Sequence, residues 1–122
     1  MLIDDNDVDN YISQHILQKH NLAETIIAKT SAIDALEHLD SIKDAPDKFP
    51  DIIFLDIRMP VMDGFGFLEN FMKYPDAVKN KCRIFMLTSS QDPKDIERAT
   101  ANPHVKKYFN KPLNDEALAG LN

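Results

Sequence analysis

The sequence predicts an α/β fold: a doubly wound parallel sheet of five strands with helices on both faces. Three observations predict it. Short apolar runs alternate five times with segments of helical periodicity, a rhythm that calls for right-handed crossovers between parallel strands. One run, Ile52-Ile53-Phe54-Leu55, carries no charge, as suits a strand covered on both faces. The length of 122 residues, 43% hydrophobic and 28% charged, gives one domain, residues 1–122, room for a proper core and none for a second.

Taken in order, Met1 to Ile3 is a short apolar strand that begins abruptly. Asn6 can cap a helix whose apolar stripe is Val8, Ile12 and Ile16 with Tyr11 beside it. Ala23 to Ala28, with Thr25, Ile26 and Ile27, supplies the second strand. Ser31 followed by Asp34 resembles a capping box, and Ile33, Leu36, Leu39 and Ile42 make the next helical stripe. Lys43 to Pro50 is polar, holds two prolines and reads as a loop. The third strand then runs to Asp56. Asp63-Gly64 is turn chemistry, and Gly64 opens a helix with Phe65, Leu68, Phe71 and Met72 as its core side.

Arg83 to Leu87 is the fourth strand, with Cys82 a small buried residue at its start. Asp92-Pro93 is a cap and first-turn pair for a helix through Thr100. Val105 to Phe109 is the fifth strand, preceded by Asn102-Pro103-His104. Asn114 starts a last helix that stops at Asn122. Both ends look clipped, which leaves room for a longer natural chain with an output domain past Asn122. His15, His20, His38 and His104 have no ligand spacing with Cys or acids and read as surface or boundary residues.

Bulk properties narrow the partners. The formal charge of −6 comes with no stripe of Lys and Arg, which argues against nucleic acid. Cys82 is the only cysteine, so no internal disulfide forms, as suits a reducing compartment. No apolar run reaches spanning length and no basic, apolar leader is visible, so a cytoplasmic location without membrane contact is expected.

In a parallel sheet the chemistry collects at the carboxyl edge. There the first strand brings Asp4 and Asp5, the third Asp56, the fourth Thr88 with Ser89, and the fifth Lys111. A structural strand has no need of an acid at the end of so apolar a run as the third. Three carboxylates together repel one another and call for a hard cation, Mg²⁺ or Mn²⁺. A Lys and a hydroxyl facing the same point can hold the oxygens of a phosphoryl group. The central carboxylate would then be a nucleophile that forms an acyl phosphate.

Four pieces of sequence carry a family resemblance: Leu2-Ile3-Asp4-Asp5, Leu55-Asp56-Ile57-Arg58-Met59-Pro60-Val61-Met62-Asp63-Gly64, Phe85-Met86-Leu87-Thr88, and Lys111-Pro112. In this order, at these strand ends, they resemble the receiver domain of two-component response regulators, similar to the chemotaxis regulators. The resemblance implies a flavodoxin-like sheet of order 2-1-3-4-5. It implies that Asp56 accepts a phosphoryl group from a sensor histidine kinase or a histidine phosphotransfer protein. Mg²⁺, with Mn²⁺ as a substitute, would be held by the side chains of Asp5 and Asp56 and the backbone carbonyl of Arg58, and by Asp4 through water. Thr88, Ser89 and Lys111 would take phosphoryl oxygens, and the Lys111-Pro112 bond would be cis. Thr88 and Tyr108 would form a switch that alters the face of the fourth helix, fifth strand and fifth helix, where a downstream protein binds. Phosphorylation-dependent dimerisation fits the same scheme.

Arg58 and Ser90 stand at the positions that tune the lifetime of the phosphorylated state in such domains. The small residue usual before the fifth strand is replaced by Asn102-Pro103-His104. The module would turn over no external metabolite. A phosphatase of the haloacid dehalogenase type would want a second Asp where Arg58 stands. A silent scaffold would lack one of the acids or the Lys, and a nucleotide-binding protein would show a Gly-rich loop after its first strand.

Overall fold

A computed structural model describes residues 1–119 of the chain. Strands β1 (Leu2–Ile3), β2 (Ala28–Lys29), β3 (Ile52–Leu55), β4 (Arg83–Thr88) and β5 (Val105–Asn110) form one sheet in the order β2-β1-β3-β4-β5. All neighbours are parallel. Helices α1 (Asp7–Lys19), α2 (Ala32–Asp40), α3 (Gly64–Phe71), α4 (Asp76–Lys79), α5 (Pro93–Ala101) and α6 (Asp115–Ala119) connect and follow them.

Side chains alternate across each strand, and two cores result. Ile3, Ile53, Leu55, Ile84 and Met86 point to one face, where Ala35 and Leu39 of α2, Phe67 and Phe71 of α3, Val78 of α4 and Ala99 of α5 cover them. Leu2, Phe54, Phe85, Leu87 and Phe109 point to the other, under Leu17 of α1 and Leu118 of α6. The fold class and strand order are those expected. Cys82 is buried just before β4.

Several local expectations are corrected. The second strand lies at Ala28–Lys29 rather than within Ala23 to Ala28, because pairing with β1 begins only where the Ile27 carbonyl accepts from Leu2 N. The stripe of α1 is rotated: of its expected residues only Ile16 packs against the core, partly buried. Asn10, Ser13 and Leu17 face inward, while Val8 and Tyr11 are 64% and 71% exposed and Ile12 is exposed too. Asn10 explains the rotation: its amide donates to the carbonyls of Asp4 and Lys29, so the polar face binds the strand ends.

In α2 the buried residues are Ala32, Ala35 and Leu39, and Ile33 faces solvent. In α3, Phe67 is fully buried and Met72, past the helix end, is exposed. A short helix, α4, was not foreseen. It follows Pro75, which fixes φ at a helix start. The caps agree with the sequence at Asn6, Ser31 and Asp92, and Asn114 accepts from Ala117 N ahead of α6. Asp63, read as turn chemistry, is the N-cap of α3. The expected stop at Asn122 lies outside the described residues.

Candidate functional site

The carboxyl ends of β1, β3, β4 and β5 meet at one edge, and ladder bonds fix them there. Asp56 N donates to Ile3 O at 3.0 Å, Asp4 N to Lys29 O at 3.1 Å, and Lys111 N to Thr88 O at 2.9 Å. Asp4 and Asp56 are each only 5% exposed. A buried acid at the end of an apolar strand costs several kcal/mol without a counter-charge.

Lys111 supplies that charge. Its ammonium lies 2.6 Å from Asp4 Oδ2, 3.0 Å from Asp9 Oδ2 and 3.2 Å from Asp56 Oδ2. Burial alone would lower its pKa, but the bonds to Asp4 and Asp9 and the charge of Asp56 outweigh burial and raise it, so the ammonium stays charged. Burial raises the pKa of Asp4, against the hydrogen bond from Lys111 and with help from the charge of Asp56.

One ammonium does not neutralise the cluster. Asp4, Asp5 and Asp56 bring carboxylate oxygens within 4.8 Å of one another, with Asp5 exposed. Oxygen-only donors, partly buried and under-neutralised, with one side open to water, are what Mg²⁺ or Mn²⁺ accepts. The residues present therefore fit the cation.

Around this centre, Asp56 Oδ1 accepts from Ile57 N at 2.8 Å. Thr88 is fully buried, with Oγ1 accepting from Ser90 N. Ser89 is exposed and hydrogen-bonds to none of the cluster among the described residues. Tyr108 is half-buried and donates from its hydroxyl to Ser90 O at 2.7 Å. The Lys111-Pro112 bond is cis, as expected. Arg58 makes no ion pair with Asp4, Asp5 or Asp56 among the described residues; its Nη2 donates to Asp95 Oδ2 at 2.6 Å.

Two residues at the site, Asp9 and Asp95, escaped the sequence reading, and a third, Gly64, was read only as a turn and helix start. Asp9 and Asp95 each sit in the first turn of a helix, where an acid is ordinarily explained by the helix dipole. Asp9 falls one helical turn beyond Asp5, and that spacing was the available signal. Gly64 starts α3 against the acceptor strand, its N donating to Ile57 O at 2.8 Å. A Cβ at Gly64 would stand 2.4 Å from the Asp56 carbonyl oxygen, so only glycine fits.

The comparisons with known proteins follow the same line. The family model described as the response regulator receiver domain matches residues 1–121. A crystal structure of a two-component response regulator from Cytophaga hutchinsonii is 35% identical, with a TM-score of 0.89, and 98% of this chain aligns with 90% of that one. A response regulator receiver protein from Dyadobacter fermentans is also 35% identical, with a TM-score of 0.85 over 98% and 91% of the two chains. The sensor histidine kinase CheAY of Helicobacter pylori is 32% identical over 97% of this chain, which spans 14% of that protein.

Proposed function

The chain belongs to the response regulator receiver domain family, and on that footing we propose that it is a phosphoacceptor module of two-component signalling that carries the phosphoryl group on Asp56. The observation that carries this reading is the Lys111 ammonium on the buried Asp56 carboxylate, with Asp4 and Asp5 within 4.8 Å. In transfer from a phosphohistidine, the P–N bond breaks as a P–O bond forms to Asp56, and the imidazole leaves. A carboxylate needs no base to attack, so the protein's work is charge and placement.

Asp5, Asp56 and the backbone carbonyl of Arg58 would hold Mg²⁺, with Asp4 acting through water; the ion would supply charge neutralisation for the phosphoryl oxygens. Lys111 pairs with those oxygens from the other side, and the Thr88 hydroxyl donates to one of them. Ser89 stands at the rim. Thr88 and Tyr108 then shift the surface of α5, β5 and α6, which is the face given above as the fourth helix, fifth strand and fifth helix. A downstream protein, or a second copy of the domain, would read that surface.

The donor is a histidine kinase or phosphotransfer protein. The exposed apolar residues Val8, Tyr11 and Ile12 lie on the helix whose Asp9 touches Lys111, and Val61 follows Asp56 in the adjoining loop. They offer that donor an apolar footing. The domain turns over no external metabolite and works in the cytoplasm, with no role for nucleic acid or membrane.

The test is intact-protein mass after incubation with acetyl phosphate and Mg²⁺. One phosphoryl adduct is expected, absent in Asp56→Asn and absent without divalent ion. An adduct that persists in Asp56→Asn would sink the assignment of the acceptor.

A further inference from the structure

The Lys111 ammonium has three N–H bonds to donate, and three carboxylates surround it. Asp4 Oδ2 lies 2.6 Å away, Asp9 Oδ2 3.0 Å and Asp56 Oδ2 3.2 Å. Asp4 and Asp56 follow β1 and β3, whereas Asp9 comes from the first turn of α1. The carboxylate oxygens that lie within 4.8 Å of one another are those of Asp4, Asp5 and Asp56; Asp9 joins them through Lys111.

The chain around Asp9 is pinned on both sides. Its own N–H donates to Asn6 Oδ1 at 3.2 Å, and the next residue, Asn10, donates from its side chain to the Asp4 carbonyl at 3.0 Å. Asp9 therefore stands at a fixed place relative to β1, with its side chain 33% exposed. Lys111 has the opposite character. Its backbone N donates to Thr88 O at 2.9 Å, but the ammonium sits at the end of a flexible four-carbon stem. Where it rests is decided by the groups that hold it.

We infer that Asp9 is a positioning residue: it fixes the Lys111 ammonium so that one N–H is aimed at Asp56 and stays aimed as the phosphoryl group arrives. The inference rests on the phosphoacceptor reading of Asp56. With Asp4 and Asp9 each accepting one N–H, the third is left for Asp56 or for a phosphoryl oxygen bonded to it. In transfer from acetyl phosphate, the P–O bond to acetate breaks, a P–O bond to Asp56 forms, and acetate leaves as the carboxylate. Lys111 follows that change by a small shift of one bond, while two hold. Two effects of Asp9 oppose each other. Its charge repels an anionic donor, a screened effect of less than about 1 kcal/mol for a partly exposed group. Its hold on Lys111 speeds the transfer itself, and misplacing a group by about 1 Å can cost on the order of 100-fold. Placement wins.

Asp9→Asn and Asp9→Ala separate the two effects, since both remove the charge and only Asn keeps an oxygen that accepts from Lys111. Loading of wild type and both variants is followed by intact mass against acetyl phosphate concentration, at saturating Mg²⁺. The limiting rate is expected to fall about 10-fold in Asp9→Ala and about 3-fold or less in Asp9→Asn. A second readout needs neither metal nor donor. The proton–nitrogen correlation signal of the Lys111 ammonium, assigned by its loss in Lys111→Arg, should be sharp in wild type and Asp9→Asn. In Asp9→Ala it should broaden through exchange with water. An acid that served only the helix dipole would lower the unfolding midpoint of both variants alike and leave the ammonium signal sharp. Asp9→Ala loading at the wild-type rate or faster, equal limiting rates in the two variants, or a signal still sharp in Asp9→Ala overturns the inference. A wild-type chain that takes no phosphoryl group sinks the acceptor reading itself, and this inference with it.

Discussion

Val61 has φ 72°, in the left-handed region, and is 93% exposed. A β-branched residue is strained there, at about 1–3 kcal/mol, and its side chain gains almost no burial in return. Val61→Asn should therefore raise the stability by about 1 kcal/mol, read as a higher denaturation midpoint; an unchanged or lower midpoint would show that the loop carries no such strain. Cys82 gives the pH dependence at this scale. Burial pushes its thiol up to about 12 from 9.0; the chain's amino group and Lys81 pull it down and Asp51 pushes it up, none of them offsetting burial. A folded pKa above the unfolded one means that stability is fully present below pH 9.0 and declines as the pH rises toward 12. The loss is about 1.4 kcal/mol per pH unit once the unfolded thiol ionises. Tyr74 adds to the same limb at higher pH, since burial and its bond to Asp40 raise its pKa too. Unfolding free energies at pH 8, 9 and 10 should show this decline in the wild type and a flatter limb in Cys82→Ala.

At the scale of elements, α3 separates the residues that hold the fold from those that only look as if they do. Phe67 is fully buried, stacked 6.2 Å from Phe71, while Met72 is exposed. Phe67→Ala should cost about 3–5 kcal/mol, and Met72→Gln should stay within about 0.5 kcal/mol, measured by chemical denaturation. Equal costs would mean that the helix is turned from the orientation described. Four of the strands, the caps at Asn6, Ser31 and Asp92 and all the helices but α4 were legible because each rests on a local rule: a charge-free run, an Asn, Ser or Asp before a helix, a proline at its first residue. The orientation of α1 was not, because apolar spacing marked Val8 and Ile12 while the decisive residue is polar. Asn10 turns inward to bond two strand-end carbonyls, and no hydrophobic pattern reports that. β2 slipped for a related reason, as its register is set by β1 and not by its own composition.

At the scale of the whole molecule, residues far apart in sequence converge on one edge and leave it over-charged. Asp4, Asp56 and Lys111 were legible as strand-end residues, whereas Asp9 was not, since only the folded chain brings it to Lys111. Four carboxylates, those of Asp4, Asp5, Asp9 and Asp56, stand near one ammonium, and the charge of Asp56 is among the causes that raise the pKa of Asp4. Such crowding opposes folding in the absence of a cation and favours binding one. Asp56→Asn keeps the shape, removes one charge and leaves Lys111 paired to Asp4 and Asp9. Without divalent ion the variant should therefore be more stable than the wild type, by about 1 kcal/mol. With saturating Mg²⁺ the order should narrow or reverse, because the wild type gains RT ln(1 + [Mg²⁺]/Kd) and the variant, short of one ligand, gains less. Thermal unfolding of both proteins across a Mg²⁺ titration checks this. If the variant is the less stable one in metal-free buffer, the cluster is held by its ion pairs and carries no excess charge for a cation to relieve.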